Sequence, residues 1–125
     1  MTSPITRVSA TVLGAPDPRA LARFYRELLQ WEMTWEEEHW VMLRPPGGGT
    51  GLSFQTEPYF EPPVWPGEPG SQQMTMHLDI AVRDLDEAVA WAEQAGAVLV
   101  DFQPQEGVRV MRDPVGHLFC LFTDA

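Results

Sequence analysis

The strongest constraint on this chain is that it repeats itself. Asp17-Pro18 opens a stripe of Leu21, Phe24, Tyr25, Leu28 and Leu29, the i, i+3, i+4 spacing of one apolar helix face. Asp17 is a good N-cap, and Pro18 sits at the first helical position, where its missing N–H costs nothing. Asp84 opens a second helix carrying Leu85, Ala88, Val89 and Ala92, with Gly96 placed as its stop. The two caps stand 67 residues apart, and the same offset carries Leu21 to Ala88, Phe24 to Trp91, Phe54 to Leu121 and Thr56 to Thr123. RPPGGG and RDPVGH correspond with a one-residue slip. One matching pair is cheap, but an offset shared by cap, helix and last strand is not. The sequence reads as an internal duplication.

Each copy reads strand, helix, then three strands. In the first copy these are ITRVSATVLG (5–14), the capped helix, WEMTWEE, HWVMLR and, after the PPGGG turn, GLSFQT. In the second they are MTMHLDIAV, the helix after Asp84, AVLVDF, GVRVMR and, after DPVG, HLFCLF. The expected fold is α+β, a tandem βαβββ in one domain, with modules at about 5–56 and 74–123. Between them, 57–73 holds five of the twelve prolines and no apolar period, so it reads as an ordered connector. Its Tyr59, Phe60 and Trp65 are costly to leave in water and should pack on the domain, a partner subunit or a ligand. Trp31, Trp35, Trp40 and Trp91 are expected mostly in the core.

Composition narrows the partners. With eight Lys plus Arg against 18 Asp plus Glu, the net charge is −10, which repels phosphate backbones and anionic lipid. No nucleic acid and no membrane are expected, and no apolar run approaches the ~20 residues of a membrane span. Cys120 is the single cysteine, so no intrachain disulfide and no Cys-rich zinc knuckle can form. The N-terminus lacks the basic and apolar regions of a signal peptide, and a cytoplasmic setting is expected.

The tandem βαβββ pattern, with Asp17-x6-Phe24-Tyr25, His77-x4-Val82-x-Asp84 and Asp113-Pro114-x-Gly116, resembles the vicinal oxygen chelate superfamily. That group includes glyoxalase I, extradiol dioxygenases, fosfomycin resistance enzymes and bleomycin-sequestering proteins. The resemblance covers roughly residues 5–123 and is nearest to the glyoxalase-like domain subgroup. It implies an eight-stranded, cup-shaped mixed sheet. It also implies that metal-dependent members draw two ligands from each repeat, one on the first strand and one on the last. Those positions fall on Ala10, Ser53, His77 and Cys120, so only His77 keeps a strong donor of the expected type. The reading that follows is a small-molecule-binding protein with no four-ligand metal site, no cofactor and no glyoxalase I activity. The alternative is a divalent-metal-dependent lyase, isomerase or dioxygenase with a site around His77.

Strand parity assigns the cup face. His77, Asp79 and Ala81 share one face, leaving Leu78, Ile80 and Val82 for the helix layer. Leu118, Cys120 and Phe122 face the cup, as do Val8, Ala10 and Val12, then Ser53 and Gln55. The ligand-binding candidates are therefore Ser53, Gln55, His77, Asp79 and Cys120, with Trp65 from the connector. His77 is the candidate general base, although Asp79, two residues along a strand, is not at an ideal distance to orient its ring. Cys120 reads as an apolar thiol, since its neighbours offer no positive charge. His117 suits a turn or edge, and His39 a solvated hairpin. Acidic walls and aromatic faces suit a cationic or aromatic guest. Exposed sheet edges favour a homodimer.

Overall fold

The computed structural model describes residues 2–123, and the two copies of the sequence pattern are two copies of one structure. In chain order the elements are β1 (Ala10–Ala15), α1 (Pro18–Leu29), β2 (Glu32–Glu36), β3 (Trp40–Arg44) and β4 (Gly51–Thr56). Then follow β5 (Leu78–Val82), α2 (Leu85–Ala95), β6 (Val98–Leu99), β7 (Val108–Arg112) and β8 (Leu118–Thr123). The eight strands form two mixed four-stranded sheets, ordered β1-β4-β3-β2 and β5-β8-β7-β6. The chain divides into two compact units with the break between Tyr59 and Phe60, so the Pro-rich connector belongs almost wholly to the second.

The duplication extends to strand register. Val12 pairs with Ser53 across the parallel β1–β4 ladder, and Asp79 with Cys120 across β5–β8, each residue moved by the same offset. The one-residue slip also appears: Val41 pairs with Phe54 and Arg109 with Leu121.

Both helices begin where the caps require. Asp17 Oδ1 accepts the Ala20 N–H at 3.2 Å, and Asp84 Oδ1 accepts the Glu87 N–H at 3.0 Å. Gly96, at φ 123°, closes α2 by donating its N–H to the Ala92 and Glu93 carbonyls. In the first unit Leu21 and Tyr25 are fully buried, and the Tyr25 ring stacks on Phe54 of β4 at 5.8 Å between centroids. The second unit is less well covered: Ala92 is the one buried residue of α2.

Several sequence expectations are corrected. Both first strands start later than alternation suggests, because their parallel partners begin only at Gly51 and Leu118. His77 thus precedes β5 instead of lying within it. The strand expected at WEMTWEE is broken by a bulge between Met33 and Trp35, which leaves Trp35 53% exposed. Trp91 is also exposed, and Trp31 and Trp40 are only half-buried, so the tryptophans are not core residues. AVLVDF shortens to Val98–Leu99 because the Gln103 side chain takes over the ladder: its Nε2 donates to the Val100 and Val110 carbonyls and its Oε1 accepts the Val110 N–H.

Candidate functional site

The second unit carries a cavity of about 470 Å³ over one face of its sheet. Strand parity and register build its floor. Asp79 of β5, Cys120 and Phe122 of β8, and Val108 and Val110 of β7 line it together, as expected of residues two apart on neighbouring strands. The connector and the Gln103-tied loop supply the walls. Trp65 and Met74 pack against the buried cluster of Val110, Leu118 and Cys120. Trp65 Nε1–H donates to the Phe102 carbonyl at 3.0 Å, which latches the connector to the loop that carries Pro104. The connector's Phe60 ring lies over the His117 ring at 4.1 Å, so the aromatic residues Phe60 and Trp65 pack on their own unit.

One corner of the cavity is polar. His77 Nε2 and Asp79 Oδ1 are 2.9 Å apart, a direct contact that corrects the expectation of poor ring-orienting geometry. That expectation assumed a pleated strand, with ~6.6 Å between alternate residues. His77 stands outside the ladder, so its ring is free to fold back onto Asp79. Sγ of Cys120 joins them: one ligand atom from each residue lies within 4.8 Å of the others. Cys120 is nearly buried, and its thiol is pushed upward from the ordinary value, by burial first and by the negative charge of Asp79 second. It is a neutral thiol and not an activated nucleophile. Among the described residues no arginine lines the cavity, and Asp79 supplies its carboxylate.

His77, Asp79, Cys120 and Trp65 are therefore brought together in one unit. Ser53 and Gln55 belong to the other unit. Ser53 is buried in β4, and the Gln55 side-chain amide donates to Glu57 Oε1 at 3.1 Å. His117 caps the DPVG turn, where Asp113 Oδ1 accepts the N–H groups of Val115, Gly116 and His117. His39 is exposed and 2.8 Å from Thr56 Oγ1. Sequence reasoning missed Val108, Val110 and Gln103. The two valines were accessible by extending the parity of Cys120 across to β7, whereas nothing local marks Gln103 as a substitute for strand backbone. A larger depression, about 750 Å³, runs along α2 beside Trp91. Its polar groups are helix-surface residues such as Arg83 and Glu87, with Asp84 already committed to the cap, so no donors converge there.

Residues 10–122 match the family model of the glyoxalase-like domain. The chain belongs to the glyoxalase-like domain family. No curated protein is detectably similar to it in sequence. Among solved structures, it is similar to a glyoxalase/bleomycin resistance protein/dioxygenase family enzyme from Burkholderia phytofirmans PsJN, at 16% identity and a TM-score of 0.73. That match covers 96% of this chain and 100% of the other. TnmS3, an antibiotic binding protein from Streptomyces sp. CB03234, is 17% identical with a TM-score of 0.64, covering 99% of this chain and 100% of that one. The fosfomycin resistance protein FosX from Mesorhizobium loti is 12% identical with a TM-score of 0.67, covering 100% and 95%. At these identities the likeness shows the glyoxalase-like fold alone, the vicinal oxygen chelate architecture of two βαβββ repeats.

Proposed function

We propose that this glyoxalase-like protein binds a small organic molecule in the cavity of its second repeat and is not a glyoxalase I. The single observation that carries the reading is the cavity's lining: an apolar floor and tryptophan wall meeting one polar corner at His77 and Asp79, with no arginine. An apolar pocket with few convergent polar groups is the usual form of a small-ligand site. Without an arginine in the lining, an anionic guest finds no counter-charge, whereas Asp79 attracts a cation and the Trp65 ring offers a face for cation–π contact. The guest is therefore a planar, apolar molecule bearing an amine. His77 is positioned by Asp79 to accept a hydrogen bond from that guest, or to take its proton if the bound molecule is turned over. Two structural neighbours, an antibiotic binding protein and a fosfomycin resistance protein, support small-molecule recognition on this fold.

Thermal stabilisation tests the reading, because a ligand that binds only the folded state raises its stability by about 2.7 kcal/mol at a hundred times Kd. Chelator-treated protein should be stabilised by aromatic amines and not by aromatic carboxylates of the same shape. Equal stabilisation by the carboxylates, or efficient turnover of a glutathione hemithioacetal, would refute it. We read the protein as one domain acting as a cytoplasmic homodimer. Its single cysteine is free, and β1 and β2 end one sheet as β5 and β6 end the other; sedimentation velocity tests the assembly. Among the described residues, no helix is long and apolar enough to cross a membrane.

A further inference from the structure

The two repeats complete one strand position in different ways. Met42 of β3 pairs with Ser53 on one side and with Trp35 of β2 on the other. Val110 of β7 pairs with Cys120, the repeat mate of Ser53, so Val110 is the register equivalent of Met42. Its other side has no strand opposite, because β6 ends at Leu99. Val100 still donates its N–H to the Val110 carbonyl at 3.3 Å, and beyond it the main chain leaves the ladder. The Gln103 side chain then takes over. Its Oε1 accepts the Val110 N–H at 2.8 Å, while its Nε2 donates to the Val110 carbonyl at 2.9 Å and the Val100 carbonyl at 2.8 Å. One amide thus makes both bonds that a paired residue exchanges in an antiparallel ladder.

This substitution places the cavity wall. Backbones bonded directly in a ladder stand about 4.7–4.9 Å apart, and a glutamine side chain between them holds the main chain further out. Pro104 follows at once and has no N–H with which to return to the ladder. At the far end of the loop, Arg109 Nη1 donates to the Glu106 carbonyl at 2.7 Å and the Val108 carbonyl at 2.9 Å. The loop is therefore pinned at both ends, and between the pins Pro104, Gln105 and Gly107 line the cavity. We propose that Gln103 is a spacer whose length sets the width of this cavity, and so a positioning residue that decides which guests fit. The class of guest rests on the reading above, whereas the spacer does not.

Length and hydrogen bonding can be varied separately. Gln103→Asn keeps the amide but is one methylene shorter, so the same bonds to Val110 draw the wall inward. Gln103→Met keeps the length and loses the bonds, which leaves the N–H of Val110, a residue 3% exposed, without its partner.

Benzylamine and 1-naphthylmethylamine, one ring and two, are the probes, titrated calorimetrically into the full-length protein and its variants. Amide exchange at Val110 is followed in the same proteins, and melting temperatures check that each is folded. The parent should bind both amines. Gln103→Asn should hold benzylamine within about two-fold and weaken 1-naphthylmethylamine by at least about ten-fold, the lower end of what a one-methylene misfit costs in an apolar pocket. Val110 should stay protected in that variant and should exchange at least about ten-fold faster in Gln103→Met. A role confined to stability would weaken both amines alike. An unchanged ratio of the two affinities or an unprotected Val110 in Gln103→Asn, or unchanged Val110 exchange in Gln103→Met, would overturn the spacer. If the parent binds neither amine, the guest reading fails, and the width is read instead at Cys120, which lines the cavity. Its reaction with an aryl maleimide should slow relative to iodoacetamide in Gln103→Asn, and an unchanged ratio of those rates would overturn the proposal.

Discussion

Removing Trp65 separates a latched connector from one that merely passes by. The indole is half-buried against Val110, Leu118 and Cys120 and donates to the Phe102 carbonyl at 3.0 Å. A tryptophan buries about 150–250 Å² when fully enclosed, so half enclosure at ~25 cal/mol/Å² contributes about 2–3 kcal/mol. The indole hydrogen bond adds about 1 kcal/mol net. Trp65→Ala should therefore cost about 3–4 kcal/mol, and Trp65→Phe, which keeps most of the ring and loses the bond, about 1–1.5 kcal/mol. For a domain of this size about 4 °C of melting temperature corresponds to each kcal/mol, giving falls of roughly 12–16 °C and 4–6 °C. Differential scanning calorimetry measures both. The alanine variant should also react faster with a thiol reagent, because the indole packs against the cluster that holds Cys120. A melting temperature within about 2 °C of the parent, together with unchanged thiol reactivity, would refute the latch.

Three further outcomes follow from local chemistry. Asp113 is 3% exposed and its Oδ1 accepts three backbone N–H groups, so Asp113→Ala should cost about 3 kcal/mol by urea denaturation. Asp113→Asn keeps a carbonyl acceptor and should cost less than half of that. Gly116 has φ 113°, and a Cβ there would lie 2.8 Å from Pro62 Cβ, so Gly116→Ala should destabilise by more than about 1 kcal/mol and loosen the connector. The Cys120 thiol is raised when folded, so its contribution is complete below the unfolded thiol value of about 8.5 and is lost as pH rises through the folded value. The parent should lose stability relative to Cys120→Ala as pH rises above the ordinary thiol value, measured without metal; parallel curves would contradict the raised thiol.

The parts of the fold that were legible in the sequence are those whose causes are local. Asp17 and Asp84 cap their helices through groups three residues away, and the repeat offset carries the first register onto the second. Strand starts were not legible, because a strand's length depends on where its partner begins. The same non-locality hides the bulge that exposes Trp35 and the Gln103 side chain that replaces a ladder. In the site, parity brought Asp79 and Cys120 to one face, but the closeness of His77 to Asp79 depended on His77 lying before the strand. Trp65 could be expected to pack somewhere from its cost in water, but its partner, 37 residues away at Phe102, could not.

The central claim is that the second repeat's cavity accepts a small guest and favours positive charge. Backbone and indole N–H resonances of chelator-treated, nitrogen-labelled protein test it most directly, titrated with an aromatic amine and with the matching carboxylate. Saturable shifts are expected for the amine at Trp65 Nε1, His77, Val110 and Cys120, and none of comparable size for the carboxylate. Shifts that avoid these residues, or tighter binding of the carboxylate, would contradict it.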